Sequence, residues 1–378
     1  MNAEHNDINK IVPYGEFIRG FANQPFLTNA ELHRVLKERG IFFSFQDKDL
    51  MVPTLQTLLL SPKEFDSIRD CFNSKEDNRK VISREINWSS SQQLLSADIL
   101  EFDLGGFMKK NLPTCTLTKQ PRLYAVDNNP NHLRAEIEIE RKDLNKSWYE
   151  QKNIFECSIE FKKDSNNKGV VIITHTAPET KALAEFAVKT KVEDFKRKKI
   201  INSNNAVKHI LFKDFTNEER IVFFFRLSTR SDNTYFKYID IVDIALKPES
   251  DKLPEKISWM NRIKKLIISG QRLGDAFFIK EKEYHKHIIV WNIEAKFEYT
   301  YNGSIGECNF NFGFPEFGTK QKLDSEFEMN ISTPIPRNQK LDTKQKGILK
   351  NKLLLEMDKQ KTIVYSKFND YLLEKNKL

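Results

Sequence analysis

Apolar and polar residues alternate over three long segments of this 378-residue chain, and this pattern limits its fold more than any other feature. The segments are LRAEIEIER (133–141), NIFECSIEFKK (153–163) and IVWNIEAKFEYTY (289–301). Alternation places the apolar side chains on one face of a strand and the polar side chains on the other. Strands with one buried face are typical of antiparallel sheets. The sequence therefore predicts an antiparallel sheet with one face covered.

Helical signals occupy the rest of the chain. Thr28 and Glu31, and then Ser61 and Glu64, have the spacing of capping boxes, so residues up to about Phe72 are predicted to form a small helical unit. Further helices are predicted from Thr176 to about Lys199, from Thr216, from Ser258 to Gly270, and in the tail after Asp342. These signals predict an α+β fold: a helical N-terminal unit, a central, mostly antiparallel sheet with packed helices, and a strand-rich C-terminal region with a helical tail.

The period of the pattern divides the chain into three predicted domains. They are a helical unit at residues 1–78, a sheet with a basic helix at 79–205, and an α+β domain at 206–378 that would hold any restriction-endonuclease-like core and the helical tail. A chain of this length has enough residues for two or three cores.

Composition narrows the function. Lys and Arg outnumber Asp and Glu by 61 to 53, a net charge of +8, which favours a polyanionic partner such as DNA. The four cysteines lie far apart without the spacing of a zinc site, so no cofactor is expected. The N-terminus lacks an export signal, and no apolar run is long enough to cross a bilayer. We therefore expect a cytoplasmic protein with no membrane partner.

One motif allows an enzymatic interpretation. Glu294-Ala-Lys296 resembles half of a PD-(D/E)xK nuclease site, in which Asp275 on a preceding strand and Glu294 would bind magnesium while Lys296 assists the attacking water. Against this, Glu294 and Lys296 lie on the polar face of an alternating strand, and Glu-x-Lys recurs at Glu160 and at Glu150. We favour a structural strand and retain the magnesium-dependent nuclease as the alternative.

Clustered cations suggest phosphate contacts, because each neutralised phosphate releases counterions. One predicted helix carries Lys189, Lys191, Lys196, Arg197, Lys198 and Lys199. A second predicted helix carries Arg262, Lys264 and Lys265, and the tail is also rich in lysine. A lysine-rich helix end is also an ordinary solvated face that complements the helix dipole.

The N-terminal unit is similar to SAP-type DNA-binding modules. ELHRVLKERGIFFSFQDKDLMVPTLQTLLLS (31–61) resembles their helix, extended loop and second helix, with Leu32, Leu36, Arg39, Gly40 and Lys48 at matching places. The resemblance implies that Arg39 and Lys48 contact nucleic acid. Helix packing without a ligand remains the alternative.

Longer phrases carry a second resemblance. Residues 39–88, FKDFTNEERIVFFFRL (212–227) and ISWMNRIKKLIISGQRL (257–273) are similar to the second subunit of two-gene bacterial anti-phage systems of the GAPS type, which are carried by phage satellites. This resemblance implies a complex with a second protein subunit, in which one of the two cuts nucleic acid. We therefore predict a subunit that binds DNA and a nuclease partner, with the nuclease itself and a structural scaffold as alternatives.

Overall fold

The computed structural model describes residues 5–45, 47–76, 78–88, 93–95, 102–163, 168–201, 207–230, 235–250 and 252–375. The chain divides into two compact units. Unit 1 comprises Met1–Asn78, Gln93–Ile159 and His175–Arg197, and unit 2 comprises Arg79–Gln92, Glu160–Thr174 and Lys198–Leu378. The α+β class is confirmed, whereas the three predicted domain boundaries stay a prediction.

The α-helices of the described part are α1 (Glu16–Ala22), α2 (Asn29–Glu38), α3 (Lys48–Gln56), α4 (Pro62–Glu76), α5 (Gly105–Asn111), α6 (Pro178–Arg197), α7 (Asn217–Thr229), α8 (Phe277–Lys280), α9 (Pro315–Lys320) and α10 (Thr343–Lys375). The strands are β1 (Lys80–Asn87), β2 (Cys115–Leu117), β3 (Tyr124–Val126), β4 (Asn129–Lys142), β5 (Lys152–Lys163), β6 (Lys168–His175), β7 (Phe236–Pro248), β8 (Leu266–Ser269), β9 (Ile288–Tyr301), β10 (Ser304–Gly313), β11 (Glu328–Ile331) and β12 (Ile335–Pro336).

Unit 1 begins with the helical bundle α1–α4. Thr28 accepts a hydrogen bond from the backbone N–H of Glu31, and the Glu31 carboxylate accepts one from the N–H of Thr28, so the predicted capping box starts α2. Ser61 and Glu64 do the same at α4. Phe21 is fully buried among the helices, with its ring edge-on to that of Tyr149 at 5.0 Å between centroids. The bundle core is therefore aromatic. Elsewhere in unit 1, β2 and β3 each pair antiparallel with β4.

Unit 2 is built on the strand order β6-β1-β11-β10-β9-β7-β8, with β12 paired to β10. In β9 the apolar Ile293, Ala295 and Phe297 are buried while Glu294 and Lys296 are half-exposed, as alternation predicts. Helix α7 packs against β9, and α10, the predicted helical tail, packs against α7, β1 and β11. The core of unit 2 is formed by side chains of these two helices and of β7, β9, β10 and β11.

The segment after Pro254 differs from the prediction. The helix expected from Ser258 to Gly270 is instead a 3-10 turn at Glu255–Met260, followed by a loop and by β8. Residues 266–269 are LIIS, and their β-branched side chains and apolar character suit pairing with β7. A helical spacing of apolar residues over so short a segment favours a helix only weakly, and pairing with another strand outweighs it.

The next segment also differs. The strand expected around Asp275 is a 3-10 turn at Leu273–Asp275, which runs into α8 and then into a second 3-10 turn at Lys282–His287. No hairpin forms around Lys282, because β9 pairs with β7 on one side and with β10 on the other.

Candidate nucleic-acid interface

Three cations of unit 2 stand on a loop between the 3-10 turn and β8. We call residues 261–265 the basic loop; it carries Arg262, Lys264 and Lys265, which are all exposed. None of these three side chains forms an ion pair with a residue that the structure describes. Arg262 has a positive φ of 69°, in the left-handed region that few non-glycine residues adopt. The loop therefore exposes three cations that have no ion-pair partner among the described residues, although the ammonium of Lys265 lies 6.0 Å from the ring centroid of Trp291.

The surroundings of the basic loop are also positive. Residues 252–282 contain eight Lys and Arg against three Asp and Glu. Two of the three acids already form ion pairs with lysines: Asp275 lies 3.3 Å from Lys280, and Glu281 lies 3.7 Å from Lys256. The cation excess is therefore not cancelled locally.

Apolar side chains flank the loop. Trp259 is 50% exposed on the turn before it, and Ile267 is 55% exposed on β8 after it. A Trp ring beside cations is a surface on which a nucleobase can stack while its phosphate is neutralised. The structure thus places an exposed aromatic ring and three cations within one short segment.

The cations predicted on α6 are less available. Arg197 hydrogen-bonds Asp194. Lys191, which was expected on the exposed face of the helix, is instead buried, with its ammonium 4.7 Å from the ring centroid of Phe102. Lys189 is exposed and Lys196 is half-exposed. The remaining two cations, Lys198 and Lys199, follow the helix and belong to unit 2.

The two cations predicted to contact DNA in the N-terminal bundle already have internal partners. Arg39 donates to both carboxylate oxygens of Glu64, at 2.5 and 2.7 Å, and to the Leu59 carbonyl at 2.6 Å. The hydrogen bond from Arg39 and, to a smaller extent, the hydrogen bonds from Ser61 lower the pKa of Glu64 to about 2. The ammonium of Lys48 donates to the Gln24 carbonyl at 2.8 Å. Both side chains therefore tie helices of the bundle together.

The residues of the nuclease alternative have separate partners. Asp275 is exposed and pairs with Lys280, Glu294 accepts a 2.6 Å hydrogen bond from Asn309, and Lys296 lies 2.9 Å from Glu307. Within the described part of the chain, no group of three or more His, Cys, Asp or Glu side chains is arranged to hold a metal ion.

A different acid lies opposite Glu294. Asp243 of β7 is in register with Glu294, and Asp240 is in register with Lys296. Asp243 accepts a hydrogen bond from the Ser269 hydroxyl at 2.6 Å. Sequence reasoning missed Asp243, and the available signal was the pair of acids in the strand IDIVDIAL (239–246), which pairs with the Glu-x-Lys strand.

Comparison with known proteins bears on the helical bundle. Residues 16–78 match the family model of the GAPS4b protein N-terminal domain. This segment is therefore similar to the N-terminal domain of GAPS4b proteins. No curated protein matches the chain. Among solved structures, the DynU16 crystal structure, from the dynemicin biosynthetic locus, is 8% identical over 77% of this chain and 98% of that chain, and its TM-score of 0.14 is too low to support an argument about fold.

The GAPS4b-like segment has a surface unlike that of the basic loop. Residues 16–78 contain eight Lys and Arg against ten Asp and Glu, a net charge of −2 within a chain of +8. The segment also exposes large apolar side chains, among them Phe17, Phe42, Phe45 and Leu59. In the described part of the chain, no helix is apolar and long enough to span a bilayer.

Proposed function

We propose that the chain is the DNA-binding and partner-binding subunit of a bacterial anti-phage defence complex, and that its basic loop contacts DNA phosphates. The observation that carries the proposal is the exposure of Arg262, Lys264 and Lys265 without an acidic partner among the described residues. An unpaired surface cation can exchange water and counterions for a phosphate, whereas a paired cation must first break its ion pair.

The partner-binding part of the proposal is assigned to the GAPS4b-like segment. Its negative charge disfavours DNA, while its exposed Phe17, Phe42, Phe45 and Leu59 supply the aromatic and apolar side chains that protein interfaces use. The resemblance to two-gene systems makes a nuclease the expected partner. In this arrangement DNA bound at unit 2 alters the activity of a protein held by the bundle.

Salt dependence tests the DNA contact. The purified 378-residue chain is titrated with a fluorescent duplex between about 50 and 200 mM salt, beside an Arg262→Ala/Lys264→Ala/Lys265→Ala variant. If each cation neutralises one phosphate, the slope of log K against log salt becomes shallower by about 3 in the variant. A Lys213→Ala/Lys322→Ala variant removes two lysines that are already paired with Asp324 and Glu316, and its slope should stay unchanged. Equal slopes in all three proteins would remove the proposal.

The nuclease alternative has weaker support. Its favourable observation is that Asp243 lies in register with Glu294 on the neighbouring strand. The described carboxylates do not offer a three-ligand magnesium site, and Lys296 is paired with Glu307. Asp275, Glu294 and Lys296 therefore stay a prediction of the sequence, and we derive no catalytic step from them.

A further inference from the structure

A cleft of about 260 Å³ lies in unit 2 between β1, β6, residues 208–210 and α10. Four of its described lining residues are basic: Arg84, Lys208, His209 and Lys361. Glu85 is the one acidic residue among the described residues that line it. This volume lies just below the range of about 300–1,000 Å³ that sites for drug-sized ligands occupy.

The carboxylates that balance these cations lie behind the lining. Glu326 accepts hydrogen bonds from Arg84 at 2.8 and 2.6 Å and lies 2.9 Å from Nδ1 of His209. Asp358 lies 3.0 Å from the ammonium of Lys361. Arg84 and Lys361 are thus held in ion pairs, and Lys208 is the lining lysine that has no ion-pair partner among the described residues.

Two of these cations are almost fully buried. Arg84 is 7% exposed and Lys361 is 2% exposed. Moving an ion out of water costs several kcal/mol even after relaxation, so a hydrophobic pair would serve a purely structural role at least as well. The Lys361 ammonium has three N–H groups, of which Asp358 and Ser83 engage two.

Lys208 lies at the mouth of the cleft and provides an exposed charge. Its side chain forms no ion pair with a described residue, and its backbone is held by two hydrogen bonds with Glu85, at 3.2 and 2.9 Å. A side chain on a fixed backbone at the rim can close on a bound anion at a lower entropic cost than one on a mobile loop.

The rest of the lining is less polar. Val170 and Ile210 contribute apolar surface, and Tyr365 contributes an aromatic ring that is itself supported by Phe223 at 5.6 Å between ring centroids. We propose that the cleft binds a nucleoside monophosphate, with the phosphate at Lys208 and Lys361 and the base against Tyr365. This site is separate from the basic loop and does not depend on the DNA contact proposed above.

Calorimetric titration of the 378-residue chain tests the proposal with AMP, adenosine and inorganic phosphate as probes. AMP is expected to bind saturably at one site per chain, and adenosine at least tenfold more weakly, because it lacks the anionic group. Lys208→Ala should weaken AMP about tenfold, the loss expected for one hydrogen bond to a charged group. Since Lys208 is exposed, this substitution should leave the fold intact.

Lys213→Ala is the matched control. Lys213 is an exposed lysine of the same unit, five positions along the chain and outside the cleft lining, so its loss should leave AMP affinity unchanged. The proposal is overturned if AMP, GMP, CMP and UMP all show dissociation constants above about 1 mM. It is equally overturned if adenosine binds as tightly as AMP, or if Lys213→Ala is as damaging as Lys208→Ala. The basic-loop variant should keep AMP affinity, which separates this test from that of the DNA contact.

Discussion

Glu326→Gln should lower the stability of unit 2 by about 3 kcal/mol at neutral pH. Burial alone raises the pKa of Glu326, but the hydrogen bonds from Arg84 and His209 outweigh it and lower that pKa from 4.5 to about 2. Each pKa unit corresponds to about 1.4 kcal/mol, so the ionised carboxylate contributes about 3 kcal/mol to the free energy of unfolding. Removing one partner of a buried ion pair typically costs about 3–5 kcal/mol, and the value of about 3 kcal/mol obtained from the pKa agrees with this range.

The sign of the pH dependence follows from the lowered pKa. Stabilisation by Glu326 is fully present above about pH 4.5, the pKa in the unfolded chain, and is lost as the pH falls toward the folded value of about 2. The stability difference between the natural chain and Glu326→Gln should therefore shrink across this window. Glutamine keeps the shape of the side chain but leaves the Arg84 guanidinium buried without its anion.

Urea unfolding followed by tryptophan fluorescence measures the effect, because Trp88, Trp259 and Trp291 all belong to unit 2. Glu316→Gln serves as the control: its partner Lys322 is exposed, so it should cost less than about 1 kcal/mol. A loss below about 1 kcal/mol for Glu326→Gln at about pH 7, or a difference that stays constant down to about pH 3, would refute the reasoning. Replacing Arg84 and Glu326 together by Met and Leu should restore most of the loss.

Three further predictions concern Arg39, two glycines and the nuclease alternative. Arg39→Ala removes two hydrogen bonds to Glu64, so it should lower the melting temperature without changing the DNA affinity measured by fluorescence anisotropy. Weaker DNA binding at an unchanged melting temperature would contradict the structural role of Arg39. Gly318→Ala should lower the free energy of unfolding by about 1–3 kcal/mol, because a Cβ there would lie 2.5 Å from Nε1 of the Trp291 indole. A Cβ at Gly347 in α10 meets no atom within 4 Å, so Gly347→Ala should raise the free energy of unfolding by about 0.5–1 kcal/mol. Chemical unfolding that ranks the two variants in the opposite order would refute this. Plasmid incubated with magnesium and the chain alone should remain uncut, and cleavage that disappears in Glu294→Gln would establish the nuclease alternative instead.

Two kinds of site residue differ in how far the sequence could locate them. The exposed Arg262, Lys264 and Lys265 were found as a cluster of charge in the sequence, although the helix assigned to them was wrong. Arg39 was predicted to contact nucleic acid because of its position in a motif. Its ion-pair partner Glu64 lies 25 residues away, and the sequence did not indicate that the two residues pair. Charge content is a property of composition, whereas the pairing that cancels a charge is a property of the folded chain.

The sequence by itself determined the capping boxes, the alternation of β9, the α+β class and the net charge, since each depends on residues close together in the chain. Only the tertiary structure decided that residues 266–269 form a strand, because that strand exists through its pairing with β7. It also decided the burial of Arg84 against Glu326, two residues separated by 242 positions. Local hydrogen bonds and the alternation of side chains depend on residues that are close together in the sequence. Pairing between distant residues depends on which surfaces folding brings together.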